Sequence, residues 1–183
     1  MIVFLDFEAS SLAKGGFPIE VAWAAEDGTE AAHLIRPAPG WTAWSEEAQS
    51  IHRITPEDLA RDGTPHDAVA RAMVAALTGH DLTASAPSWD GHWLSLLLRA
   101  SGFPRKTLTL RDSDDLIFEA AVTAFRRAGR DPAAERDRIL ALVTATKAEL
   151  EAAPPAHRAL ADARRERDLW REVTRRAEAA AAP

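Results

Sequence analysis

Two carboxylates stand one residue apart at the end of the apolar run Ile2-Val3-Phe4-Leu5-Asp6-Phe7-Glu8. Successive side chains of a β-strand point to opposite faces, so Asp6 and Glu8 share one face while Leu5 and Phe7 share the other. Ile2 to Leu5 reads as a strand buried on both faces, where acids persist only if paired, hydrogen-bonded or bound to a cation. Taken alone, the pair could equally be the polar end of a strand. Asp90 stands where a later strand gives way to a helix, and His157 and Asp162 lie together in His-Arg-Ala-Leu-Ala-Asp-Ala. Carboxylates placed like this suit a hard, oxygen-loving cation.

On an ideal helix a five-residue step turns about 500°, leaving His157 and Asp162 roughly 140° apart. They cannot share a helix face. Pro154-Pro155 offers a way out, because prolines there place His157 at or before the first turn while Asp162 approaches from the helix body.

With 183 residues, 46% hydrophobic and 27% charged, the chain is long enough for one domain with a proper core. A single domain over residues 1–176 is expected, with a frayed tail over 177–183. The absence of cysteine removes disulfides and thiolate metal sites. The first strand lacks a basic leader and is too short for a signal peptide or a membrane span, so the expectation is a cytoplasmic protein without a membrane partner. The net charge of −6 disfavours wrapping of long duplexes yet is compatible with an enzyme gripping a few nucleotides.

After a glycine-rich loop, Ile19 to Ala24 alternates large apolar with small or polar residues like a half-buried strand. Asp27-Gly28 supplies a turn, and residues 31–36 return as a third strand. Thr55-Pro56-Glu57-Asp58 has the cap, proline and acids of a helix start. Residues 65–77 follow as a clearer helix. A fourth strand at 82–86 leads to a helix at 91–100 capped by Ser88 or Asp90, with Trp89 counted as core. A fifth strand at 106–111 precedes helices at about 113–128, 132–152 and 156–176. The pattern predicts an α/β protein, a mixed five-stranded sheet with helices on both faces.

In order, spacing and placement these residues resemble the DEDDh 3′-to-5′ exonucleases, which include ribonuclease T, oligoribonuclease and bacterial polymerase proofreading subunits. Asp6-Phe7-Glu8 with Ser10-Ser11-Leu12 matches the first motif, Asp90 after Ser85-Ala86-Pro87-Ser88-Trp89 the second, and His157 with Asp162 the third. A weaker likeness lies in Ile51-His52-Arg53-Ile54-Thr55, where relatives usually carry glycine at Arg53. Ser85 and Trp89 also depart, replacing an asparagine and a phenylalanine common in relatives. The resemblance spans about residues 1–175 and implies a ribonuclease H-like fold and hydrolysis at the 3′ end of single-stranded RNA or DNA, releasing nucleoside 5′-monophosphates. It implies two divalent cations, Mg²⁺ or Mn²⁺, which would relieve a repulsion of about 4 kcal/mol per carboxylate pair 4 Å apart at an effective dielectric of 20. It assigns Asp6 to both cations, Glu8 and Asp162 to the one holding the attacking water, Asp90 to the second, and His157 to the proton of that water.

Leu12 and Phe17 are candidates for touching the terminal nucleotide, and His52 for a phosphate. Trp41 and Trp44 could stack on bases or anchor their loop. Glu20 could reach the site but reads as a solvated or hydrogen-bonded strand residue. The competing functions are a proofreading or docking subunit of a larger nucleic-acid-processing complex, and a binding module without turnover. Homodimers are common among relatives, and the sequence is silent on dimerisation.

Overall fold

The computed structural model describes residues 1–152 and 156–182. Three strands, β1 (Ile2–Ala9), β2 (Pro18–Ala25) and β3 (Glu30–Arg36), form the expected antiparallel meander. β4 (Thr64–Pro65) pairs in parallel with β3 at one edge. On the other side β5 (Asp81–Ala84) and β6 (Leu110–Asp112) extend β1 in parallel, giving the order β4-β3-β2-β1-β5-β6. The sheet therefore has six strands where five were expected, because a two-residue strand carries no periodicity to read. The expected strand at 106–111 shrinks to Leu110–Asp112, where the chain meets Leu82–Ala84.

The two faces of β1 divide as a period of two requires. Val3, Leu5 and Phe7 enter a core with Val21, Trp23, Met73, Leu94, Leu97 and Leu98, contributed partly by α3 (His66–Leu77) and α4 (Pro87–Ala100). Phe4, Asp6 and Glu8 take the opposite face, where Phe4 meets Trp170 of α7 (Ala159–Ala181) at 6.0 Å between ring centres. Behind α7 lie α5 (Ser113–Arg127) and α6 (Arg136–Leu150), sharing a second core of Ile117, Phe125, Ile139, Leu169 and Val173. Between β3 and β4, the short helices α1 (Glu46–His52) and α2 (Pro56–Asp62) close the sheet edge. Thr55 and Asp58 exchange hydrogen bonds in a capping box, with Pro56 in the first turn as its sequence indicates.

Several expectations change. β2 is buried along its whole length, because Ala22 and Ala24, small residues taken for an open face, lie beneath α7. α4 begins at Pro87 rather than Gly91, and neither Ser88 nor Asp90 caps it, since Ala86 occupies the cap position without a side-chain hydrogen bond. Trp89 is 45% exposed and stacks on Trp93 at 6.0 Å; it continues the apolar stripe of α4 one turn past the core it was assigned to. α7 runs to Ala181 with Ala177 and Ala181 buried, so residues 177–181 of the tail expected to fray are docked helix. No helix among the described residues is long and apolar enough to cross a membrane.

Ala159 and Ala163 are fully buried on the sheet side of α7, and their size lets the helix approach the strands. Replacing Ala163 by leucine should overpack this layer and lower stability by about 1–3 kcal/mol, read as a shift in the urea midpoint at unchanged slope.

Candidate active site

Asp6, Glu8 and Asp162 converge. Each offers a carboxylate oxygen within 4.8 Å of the other two, although Asp162 lies more than 150 residues from the strand pair. β1 supplies two of the acids by alternation, and α7 supplies the third from its first turn. At that separation and an effective dielectric of 20, each charged pair repels by about 3.5 kcal/mol.

The start of α7 is held by acids on both sides. Glu20 on β2 is 3% exposed; its carboxylate accepts from Arg158 Nε at 3.1 Å, Arg158 Nη2 at 2.7 Å and the Ala159 backbone N–H at 3.0 Å. It thereby serves as the N-terminal cap that Arg158, in the cap position, does not supply from its own side chain. Asp162 accepts from the backbone N–H groups of Ala156 and Arg158, both at 3.2 Å. The segment between α6 and α7 is thus pinned by the same carboxylate that joins the acidic cluster.

His157 precedes the helix, as the spacing requires, and takes a left-handed backbone with φ of 52°. The Pro154-Pro155 break invoked to place it lies outside the described residues. His157, Asp6, Glu8 and Asp162 line one cavity of about 450 Å³. Glu151, Arg165 and Glu166 also line it, and of these Glu151 and Glu166 were not anticipated. Glu166 follows Asp162 by one helical turn and accepts from Ser113 Oγ at 2.8 Å; an i, i+4 acid on the same helix face was the available signal.

Asp90 stands apart from the three-carboxylate cluster. It is 4% exposed in the first turn of α4, and its Oδ1 accepts from the Phe7 backbone N–H at 3.2 Å. It lies close enough to Asp6 for its charge to raise the Asp6 pKa.

Burial, followed by the charges of Asp90, Glu8, Asp162 and Glu20, pushes the Asp6 carboxyl well above its ordinary range. Burial and the facing Glu20, its cross-strand partner, bring Glu8 up to about 7. Burial brings Asp90 to about 7 despite the Phe7 N–H it accepts from. These are acids in want of a counter-charge. An all-oxygen donor set fits a hard divalent cation such as Mg²⁺ or Mn²⁺.

The candidate substrate contacts fare differently. Leu12 is 64% exposed on the loop after β1 and lies outside the lining of the cavity. Phe17 is 2% exposed, stacked on Trp41 at 5.5 Å and clustered with Ile19, Ile54 and Leu59; it anchors the loop and lies outside the lining of the cavity. Trp44 packs on the same ring at 6.3 Å. His52 is buried and lines a neighbouring cleft that shares His157 with the first.

No protein-family model matches the chain, and no curated protein matches it. Solved structures do. The zinc-bound E. coli ExoI–ssDNA complex is 18% identical with a TM-score of 0.68, covering 96% of this chain and 40% of that one. E. coli exonuclease I with a dA16 oligonucleotide is 17% identical with a TM-score of 0.66, covering 98% and 42%. An apo exonuclease I structure is 19% identical with a TM-score of 0.63, covering 92% and 40%. The chain spans about two-fifths of the length of these proteins and shares their fold.

Two outcomes follow. Glu20→Gln should cost about 1–3 kcal/mol by weakening a buried charge-assisted set, measured by chemical denaturation. In chelator, Asp6, Glu8 and Asp90 bind protons more tightly folded than unfolded, so their contribution is present below about pH 4 and lost as pH rises, through about 7 for Glu8 and Asp90. His33 and His52, lowered by burial, act in the opposite sense. The discriminating quantity is the rise in Tm on adding Mg²⁺. It should grow from pH 5 to pH 8 by roughly 2–4 °C per kcal/mol of coupling.

Proposed function

We propose that the cavity is the active site of a metal-dependent 3′-to-5′ exonuclease that hydrolyses single-stranded nucleic acid from its 3′ end and releases nucleoside 5′-monophosphates. The observation that carries this reading is the convergence of Asp6, Glu8 and Asp162 on a cavity that His157 also lines. The fold shared with exonuclease I structures, some named as complexes with single-stranded DNA, supports it. Single-stranded DNA is therefore the first substrate to test, with RNA beside it.

Asp6, Glu8 and Asp162 are the residues that would hold one or two divalent cations, with Asp90 acting from behind Asp6 directly or through water. Such cations supply Lewis-acid activation of water and of the phosphodiester. The chain supplies the rest. His157 takes the proton of the attacking water. Asp162 fixes the backbone on both sides of His157 through the N–H groups of Ala156 and Arg158, so the base and a ligand move as one unit. Asp90 holds β1 in place through the Phe7 N–H, between the two strand carboxylates. A second reading, a docking subunit of a larger assembly, draws on the exposure of Leu140 and Leu150 on α6; co-purification with a larger protein and weak activity alone would favour it.

With 5′-labelled single-stranded DNA and RNA in Mg²⁺ or Mn²⁺, the expected product is a ladder shortening from the 3′ end. Chelator and Asp6→Ala should abolish it, and His157→Ala should slow it by about 10²–10⁴-fold. A ladder that survives Asp6→Ala, or none with either substrate, overturns the assignment.

A further inference from the structure

A second cleft, of about 340 Å³, adjoins the cavity and is lined by His52, Arg53, Ala156, His157 and Arg158. Arg53, with φ of 60°, and His157, with φ of 52°, are the non-glycine residues with left-handed backbone among the described residues, and both line this cleft. Arg53 ends α1, its N–H donating to the Gln49 carbonyl. Glycine takes such a position without steric penalty, whereas an L side chain does not. Backbone strain of this kind gathers at ligand clamps.

His52 supplies an independent observation. It is 3% exposed, and its Nδ1 accepts from the Ile54 N–H at 3.1 Å, which leaves the proton on Nε2. Nε2 is buried and finds no acceptor among the described residues. Such orphan donors are rare, and their usual explanation is a water or a ligand. Burial holds the His52 pKa down, so the ring is a neutral donor at physiological pH.

Arg53 and Arg158 are also donors. Arg53 makes no ion pair or side-chain hydrogen bond among the described residues. Arg158 commits Nε and Nη2 to Glu20, leaving Nη1 free among the described residues. Both Glu20 oxygens are already taken by Arg158 and Ala159. Two arginines and a histidine with an unmet ring N–H line this cleft, a donor set complementary to a compact oxyanion.

We infer that this cleft is a phosphate subsite for the nucleic-acid strand, with Arg53 as its principal contact. The identity of the occupant rests on the nuclease reading given above, while the anion preference rests on the donors alone. Since His157 lines both cavities, the second phosphate belongs either to the linkage next to the scissile one or to a phosphate carried on the 3′ end itself.

The test measures binding rather than turnover. Anisotropy of a 5′-labelled single-stranded oligonucleotide, with Ca²⁺ in place of Mg²⁺, is followed against salt for the wild type, Arg53→Gly and Arg53→Lys. Arg53→Gly should weaken binding by about tenfold and lower the slope of log Kd against log salt by about one, with Arg53→Lys keeping the slope. Its Tm should equal or exceed that of the wild type, since glycine relieves the backbone. Equal loss on 3′-hydroxyl and 3′-phosphate ends assigns the subsite to an internal phosphate; loss confined to 3′-phosphate ends assigns it to the terminus. Unchanged affinity and slope overturn the subsite, even if the cleavage ladder is present. A reduced slope without any ladder keeps the subsite and overturns the nuclease reading.

Discussion

Glu20 ties the N-terminus of α7 to the middle of the sheet through three hydrogen bonds, and the geometry of the candidate site follows from that attachment. Without it, Asp162 would have no fixed relation to the strand acids. The tie works because the layer beneath the helix is thin: Ala22 and Ala24 on β2 face Ala159 and Ala163 on α7, all fully buried. Larger side chains in this layer would hold the helix away, and the three carboxylate oxygens would not reach a common point. Glu20 also stands opposite Glu8 across the strands, adding charge to a region already crowded with acids. Arg158 offsets part of that charge while serving as the tether.

This arrangement sets stability against chemistry. Buried carboxylates that raise one another's proton affinity disfavour the charged state. A cation would reverse the sign of the local field and convert the repulsion into binding. The fold supports such a site because the strand carrying two of the acids is central, paired with β2 on one side and β5 on the other.

The pattern of residues carried the site further than it carried the edges of the fold. Alternation along β1 places Asp6 and Glu8 on one face, and a histidine five residues before an acid requires that one of them lie outside the helix; both are local constraints with few solutions. Glu20 was ambiguous because its partner stands 138 residues away, and an acid among apolar strand residues reads the same whether solvated or tethered. Phe17 looked like a nucleotide contact from its place in a glycine-rich loop, yet Trp41 and Trp44 fold back over it, a long-range packing event with no local signature. Trp89 erred in the opposite sense, since helical periodicity fixes an azimuth but not where the core ends. The departure from glycine at Arg53 was visible in the sequence, but its meaning required the φ of 60°.

The strand carrying Asp6 and Glu8 is the first element of the chain, and the helix carrying Asp162 is the last described. During synthesis the two strand acids would leave the ribosome long before their counterpart. A nascent chain therefore carries Asp6 and Glu8 without Asp162, and the acidic cluster closes only once the residues of α7 have emerged and docked.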